Sequence, residues 1–280
     1  MILDTHSHLN FKAYDNDRDE VVKRTLQGSV WMINVGTKYE TSKQAVEIAE
    51  KYNDGVYAAI GLHPIYASAE FQKVKTDPEE GDFFVKEEVF DYERYKRLAL
   101  SASRRVVAIG EIGLDYYYKP KTNVKLEQFK EKQKRVFIEQ LEFAKELNLP
   151  VIIHCRMAHN DIIEILKTQQ VRGVIHCFTG NLEEAQRYMD LGFYIGINGI
   201  IFKLDLDEVI KNAPLDKILV ETDCPYLIPP LARRSPEGEG GRNEPIFVKH
   251  VIQKIADLKG ISFNEVAETT TQNARKLFKI

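Results

Sequence analysis

Apolar positions along the chain fall into short runs that end at a polar residue, and between the runs the apolar spacing changes. Runs rich in Val, Ile, Tyr and Phe at residues 1–5, 30–35, 56–61, 105–111, 151–154, 173–177, 193–198 and 217–222 have the length and composition of strands. The stretches 19–27, 40–52, 92–102, 125–147, 160–167, 182–191 and 206–212 between them carry the three-and-four spacing of amphipathic helices, as do 245–259 and 263–278 after the last run. Eight strands alternating with helices predict an α/β fold, a closed (β/α)8 TIM barrel, in preference to an open doubly wound sheet. A doubly wound fold would place a glycine-rich phosphate turn after its first strand, where this chain has Thr5-His6-Ser7-His8. At 280 residues one such barrel accounts for the chain as a single domain, 1–280.

Five of the runs stop at a histidine or a carboxylate. Met1-Ile2-Leu3 leads to His6 and His8, Val106–Ile109 to Glu111, Val151–Ile153 to His154, Val174-Ile175 to His176, and Ile218–Val220 to Asp223. Parallel strands present their carboxyl ends at one face of the barrel, so these six residues are expected to converge there. His6 and His8, two apart on an extended strand, project from the same face. Left buried and unpaired, four imidazoles and two carboxylates would cost several kcal/mol, whereas together they satisfy divalent cations. Six ligands exceed one tetrahedral site, and a carboxylate can bridge two ions. Two divalent ions per chain are therefore expected, one held by His6, His8 and Asp223, the other by His154 and His176, with Glu111 between them. Imidazole-rich ligation favours Zn, Mn, Fe or Co, with Mg supporting activity at lower affinity. Such a pair lowers the pKa of a bound water from ~16 toward ~7. Asp223 is placed to take that water's proton and pass it to a leaving group, and the local excess of positive charge suits a phosphodiester or another anionic ester.

The bulk composition narrows the partners. A net charge of −3 argues against a protein that wraps duplex DNA with a broad basic surface, but not against an enzyme that grips a strand end near bound cations. No apolar run approaches the ~18 residues of a membrane span, and Met1-Ile2-Leu3 gives way at once to Asp4, unlike a signal peptide. A cytoplasmic location, no membrane association and no obligate protein partner are the expectations. The three cysteines, Cys155, Cys177 and Cys224, have no finger or redox spacing. Each follows a proposed ligand, and strand alternation would turn all three thiols toward the helices.

Two stretches break the alternation, and both should emerge near the barrel rim. The first, 66–93, is acidic and aromatic, with a turn expected at Asp77–Asp82; the second, 229–243, follows the last strand on the catalytic face and carries Arg233-Arg234 and a glycine cluster. Its glycines lack the lysine and Ser/Thr of a P-loop, so a flexible lid is expected there.

Asp4-Thr5-His6-Ser7-His8-Leu9, Gly61-Leu62-His63-Pro64, Gly110-Glu111-Ile112-Gly113-Leu114-Asp115, His154-Cys155-Arg156, His176-Cys177-Phe178-Thr179-Gly180, Glu221-Thr222-Asp223 and Arg242-Asn243-Glu244-Pro245 together resemble the TatD family of metal-dependent deoxyribonucleases. The motifs run in order over nearly the whole chain. The resemblance implies a barrel of the amidohydrolase kind, divalent metals, and phosphodiester hydrolysis, often as a 3′ to 5′ exonuclease on single-stranded DNA. It carries the ligand role onto His6, His8, Glu111, His154, His176 and Asp223, with Glu111 and Asp223 as the catalytic carboxylates, and it brings Arg242 to the substrate. The stretches after His63-Pro64 and from Leu227 to Gly241 look longer than is usual in that family. A hydrolase of small anionic esters, amides or lactones is the alternative, since it uses the same barrel and nearly the same ligands, often with a carbamylated lysine where Glu111 stands. A non-catalytic protein with a structural metal site is a third, disfavoured because structural sites are closed.

Around the ligands, His63 has two roles open to it, donor to a substrate phosphate or anchor of its own loop. Arg156 suits a phosphate fork, or else a salt bridge to Asp161. Tyr116-Tyr117-Tyr118 can stack bases or simply pack. His159 is expected to be a solvated residue or a cap partner. Glu221, one layer below Asp223, is expected to hydrogen-bond a ligand, and Asp4 stands in the same relation to His6.

Overall fold

Alternating β-branched runs and amphipathic helices close into the expected barrel. The computed structural model describes residues 1–71, 85–234 and 241–280. In chain order the first half comprises β1 (Ile2–Ser7), α1 (Arg18–Gln27), β2 (Val30–Val35), α2 (Tyr39–Glu50), β3 (Val56–Ile60), a one-turn α3 (Pro64–Ala67), α4 (Tyr92–Ser101) and β4 (Val106–Asp115). The second comprises α5 (Asn123–Glu146), β5 (Val151–Arg156), α6 (His159–Leu166), β6 (Gly173–Ile175), α7 (Leu182–Asp190), β7 (Tyr194–Ile197), α8 (Asp207–Asn212), β8 (Ile218–Val220), α9 (Val248–Lys259) and α10 (Phe263–Phe278). The strands lie in the order β1 to β8, each pairing in parallel with the next.

Strand alternation sorts the apolar residues into two layers. Every strand contributes to an inner cluster, through Leu3, Ile33, Val35, Ala59, Val107, Ile152, Val174, Tyr194 and Leu219. Their neighbours, such as Met32, Ala58, Ile153, Ile175, Ile195 and Val220, pack with the helices. Ala274, Leu277 and Phe278 of α10 join the inner cluster.

The seam between β1 and β8 is held at both ends. At the carboxyl end Asp223 N–H donates to His6 O at 2.8 Å and His8 N–H to Cys224 O at 2.9 Å. At the amino end the Asn273 amide of α10 donates to Ile218 O at 3.0 Å, and Thr271 Oγ1 donates to Met1 O at 3.4 Å.

Two of the strand ends that differ from the sequence expectation shape the site. β4 continues past residue 111 to Asp115, pairing Gly113 with His154 and Asp115 with Arg156 across a register shift after Ile109. Gly113 permits this, since it has φ 140° and a Cβ there would lie 2.1 Å from His154 O. β6 stops at Ile175, and the chain leaves the strand at Cys177 with φ 45°. The turn expected at Asp77–Asp82 lies outside the described residues, as does 235–240 of the expected lid. No helix among the described residues is long and apolar enough to cross a membrane.

Candidate metal centre

The carboxyl ends of the strands surround a cavity of about 470 Å³ lined by His8, His63, Glu111, Asp115, His154, Arg156, His176 and Asp223, among others. His6 lies beneath it, fully buried, with its ring stacked on His176 at 3.5 Å between centroids. All six expected ligands therefore come together, and the distances divide them around Glu111. Glu111 Oε2 faces His6 Nε2 at 3.5 Å and His8 Nε2 at 4.0 Å. Its Oε1 faces His154 Nδ1 at 2.8 Å, His63 Nε2 at 3.5 Å and His176 Nε2 at 3.8 Å. Asp223 Oδ1 completes the first group, 3.4 Å from His8 Nε2 and 3.9 Å from His6 Nε2.

Hydrogen bonds on the far side of each ring decide which nitrogen is free. His8 Nδ1–H donates to Val35 O at 2.8 Å, which leaves Nε2 with its lone pair toward the cavity. His154 places Nε2 against Asp115 Oδ2 at 3.1 Å and turns Nδ1 to Glu111. His176 sets Nδ1 2.8 Å from the buried Glu221, out of line for a directed hydrogen bond but close enough for a charge pair, and turns Nε2 inward. His63 is different. Its Nδ1 accepts from Ile65 N–H at the start of α3, so in the neutral ring Nε2 carries the proton and faces the cavity as a donor.

The charges follow from burial and these partners. Burial pushes His63 down to about 3, helped by the neighbouring His154, so it is neutral. Burial also opposes charge on His154 and His176, but the carboxylates win: Asp115 and Glu111 carry His154 up to about 9, and Glu221 with Asp223 carries His176 up to about 10. Burial and the adjacent His176 lower His6, whereas His8 is raised because the Asp223 carboxylate outweighs burial. Glu111, Asp115 and Asp223 stay ionised below the usual carboxylate range, the surrounding imidazoles overcoming their desolvation.

The donor set fits divalent cations. His6 Nε2 and His8 Nε2 stand 3.1 Å apart, and each lies 3.4 to 4.0 Å from Glu111 Oε2 and from Asp223 Oδ1, near the ~3.4 Å edge of a tetrahedron built on ~2.1 Å bonds. His6 Nδ1 is buried without a hydrogen-bond partner among the described residues, and His6 and His8 direct Nε2 at each other across 3.1 Å. A cation shared by these atoms removes that conflict. On the other carboxylate oxygen, Glu111 Oε1, His154 and His63 form a second group, and His176 Nε2 stands 3.8 Å from the same oxygen and 3.9 Å from Asp223 Oδ1.

Four expectations differ from the observed geometry. Arg242 does not line the cavity. Its guanidinium forks onto Asp17 at 2.8 and 2.6 Å, reaches Glu244 at 3.0 Å and lies over the Tyr14 ring, so its donors are spent anchoring the segment after the last strand. The Cys177 thiol lines the cavity instead of facing the helices, because the backbone turns at that residue and strand alternation ends there. His159 is half-buried, with Nδ1 3.2 Å from Cys155 Sγ and 3.1 Å from the Tyr188 hydroxyl, in the layer between barrel and helices. Asp4 ties the seam by accepting from Thr222 N–H and Oγ1, and it bonds the backbone of His6 instead of its ring. Asp161 is taken by Tyr116 and Lys134, leaving Arg156 exposed at the cavity wall. Sequence reasoning assigned Asp115 no role. Its one signal was a carboxylate four residues beyond Glu111, on the same face if the strand continued.

Comparison with known proteins agrees with this geometry. The family model "TatD related DNase" matches residues 3–279. The chain is 42% identical to the Bacillus subtilis (strain 168) protein named "Uncharacterized metal-dependent hydrolase YabD", with all of both chains covered. It is 34% identical to the "3'-5' ssDNA/RNA exonuclease TatD" of Pectobacterium parmentieri (strain WPP163), again with both chains covered in full. Among solved structures, the TatD homologue YjjV of Escherichia coli K12 superposes with a TM-score of 0.79 at 29% identity, covering 100% of this chain and 98% of that one. The chain belongs to the TatD family of metal-dependent hydrolases.

Proposed function

We propose that the protein is a phosphodiesterase that removes nucleotides from single-stranded DNA in the 3′ to 5′ direction, with two divalent ions, Zn, Mn or Mg, bound at the centre. The carrying observation is Glu111, whose two oxygens face different imidazoles at the floor of an open cavity, Oε2 those of His6 and His8 and Oε1 those of His154, His63 and His176. The direction and substrate rest on the activity named for the Pectobacterium relative. His6, His8, Glu111 and Asp223 would hold one ion, and Glu111, His154 and His176 the other.

When bound, such ions acidify a water and polarise the scissile phosphate. The chain's own residues supply the rest. Asp223, ionised and open to the cavity with 15% of its side chain exposed, accepts a proton at a carboxylate oxygen and returns it to the leaving oxygen. His63, held neutral, donates from Nε2–H to a phosphate oxygen. Arg156, at the wall, is placed to fork onto a neighbouring phosphate. Asp115 and Glu221 orient His154 and His176.

The test is a 5′-labelled single-stranded oligonucleotide incubated with enzyme and added metal. Stepwise shortening from the 3′ end, abolished by chelator and lost at least about a hundredfold in Asp223→Asn, is expected for removal of a general base. Turnover of small esters alone, with the oligonucleotide intact, overturns the reading.

A further inference from the structure

The loop that follows β4 leaves an aromatic and cationic surface beside the cavity. Of the three consecutive tyrosines, Tyr116 is buried and bonds Asp161, while Tyr117 and Tyr118 are 51% and 42% exposed and meet edge to face at 4.8 Å. Exposing two adjacent aromatic rings forgoes apolar burial, so the packing of the barrel does not account for them. Arg156 of β5 lays its guanidinium over Tyr117 at 3.7 Å and reaches within 5.7 Å of the Tyr118 ring. No carboxylate pairs with Arg156 among the described residues, and both Arg156 and Tyr118 line the cavity that contains the metal ligands. Beyond the tyrosines the chain continues Lys119-Pro120-Lys121, with both lysines exposed, without an acidic partner among the described residues, and with no acidic residue from 116 to 126. Three residues span at most ~11 Å, so both lysines lie close to Tyr118. In a chain of net charge −3 this is a local positive surface joined to two exposed rings.

We propose that Tyr117, Tyr118 and Arg156 form a base-stacking subsite that holds a nucleobase of single-stranded substrate beside the metal cavity, with Lys119 and Lys121 taking the phosphates that follow. Rings accept any base through its π face, and cations track the backbone, which is how single strands are held without sequence preference. Charge complementarity selects a polyanion, and the rings select one with unpaired bases. The assignment rests on the nuclease reading for its substrate class, but its own test is separable from it.

Two measurements decide it. The first is the affinity of a fluorescent single-stranded oligonucleotide by anisotropy, for the wild type, Tyr117→Ala/Tyr118→Ala and Tyr117→Phe/Tyr118→Phe, each checked for an unchanged thermal midpoint. The alanine pair should bind about tenfold more weakly and the phenylalanine pair as the wild type does, since stacking needs the ring and not the hydroxyl. Lys119→Ala/Lys121→Ala should flatten the salt dependence of binding by about 0.7 for each phosphate no longer neutralised. The second is kcat/KM, for which the alanine pair should lose about tenfold on the oligonucleotide relative to bis(p-nitrophenyl) phosphate, mostly in KM. Equal affinity of wild type and alanine pair, with the wild type digesting the oligonucleotide, overturns the subsite alone. Weakened binding by the alanine pair, with a wild type that binds but never cleaves, keeps the subsite and overturns the nuclease.

Discussion

Asp115→Asn isolates the part of the centre that holds a ligand without being one. The carboxylate is 4% exposed, with Oδ2 3.1 Å from His154 Nε2 and Oδ1 accepting from Tyr117 N–H at 2.9 Å. Asparagine keeps the shape and an oxygen for one of these bonds, so the fold and the turn into the tyrosine loop should survive. What it removes is charge. Against a fully charged imidazole a carboxylate at this distance is worth ~5 kcal/mol at an effective dielectric of ~20. The ring that ligates is neutral, however, and retains only the dipolar fraction of that interaction. Loss of such an outer partner lowers metal affinity by about ten- to a hundredfold, or ~1.4–2.7 kcal/mol. The expected result is that Asp115→Asn needs this much more metal for half-maximal occupancy by isothermal titration, while the metal-free protein, in which Asp115 pairs a charged His154, unfolds at a lower midpoint than wild type. At saturating metal the turnover should largely return. A metal affinity within about twofold of wild type would refute the coupling of Asp115 through His154 to the ion.

Arg242→Ala should act on stability. Glu244 is fully buried, but Arg24 still bonds it, and Asp17 and Arg242 are 28% and 26% exposed, so solvent reduces the cost of losing one buried-pair partner to ~1–2 kcal/mol. The Arg242 fork holds the Asp17 carboxyl below its usual 3.8, and a group with a depressed folded pKa stabilises above its unfolded value. The stability gap between wild type and Arg242→Ala, read by urea denaturation, should be complete above pH 3.8 and narrow as pH falls through the lower folded value. An unchanged urea midpoint with a raised KM would return Arg242 to the substrate. Gly113→Ala places a Cβ 2.1 Å from His154 O at φ 140° and forces β4 away from β5. A loss of at least ~2 kcal/mol, with weaker metal binding, is expected from strain and overpacking. Wild-type stability in this variant would mean that the two strands need not approach so closely.

The fold was legible because its signal is local. Each strand and helix announces itself by spacing within a few residues, and strict alternation leaves few topologies to choose from. The convergence of the six candidate ligands was legible for the same reason, each closing its own run. What escaped depends on where the backbone stops obeying the period. Asp115 was hidden because β4 runs four residues past Glu111, which only the partner strand β5 dictates. Cys177 was misplaced because alternation was carried two residues beyond the end of β6, to a position with φ 45°. The ion pairs of Arg242 were hidden because its partners, Asp17 and Glu244, lie 225 and 2 residues away, and a guanidinium in sequence carries no mark of which carboxylate will claim it.

The seam of the barrel explains why three of the candidate ligands sit where they do. β8 has only three residues, and its pairing with β1 at the carboxyl end is made by the segments that carry the ligands: Asp223 N–H to His6 O, His8 N–H to Cys224 O, and a bridge between Ser7 and Cys224. Asp4 reinforces the joint through Thr222. The positions of His6, His8 and Asp223 are thus set by sheet spacing across the closing pair, not by loops that would have to be ordered separately. Glu111 and His154 are set in the same way by the β4 and β5 pairing that Gly113 allows. A centre assembled on two such strand pairs has its donors positioned before any cation arrives, so binding spends little free energy on ordering them. The cost appears instead as burial and as crowding of the imidazoles, with His6 set against both His8 and His176, which is the term a divalent cation relieves.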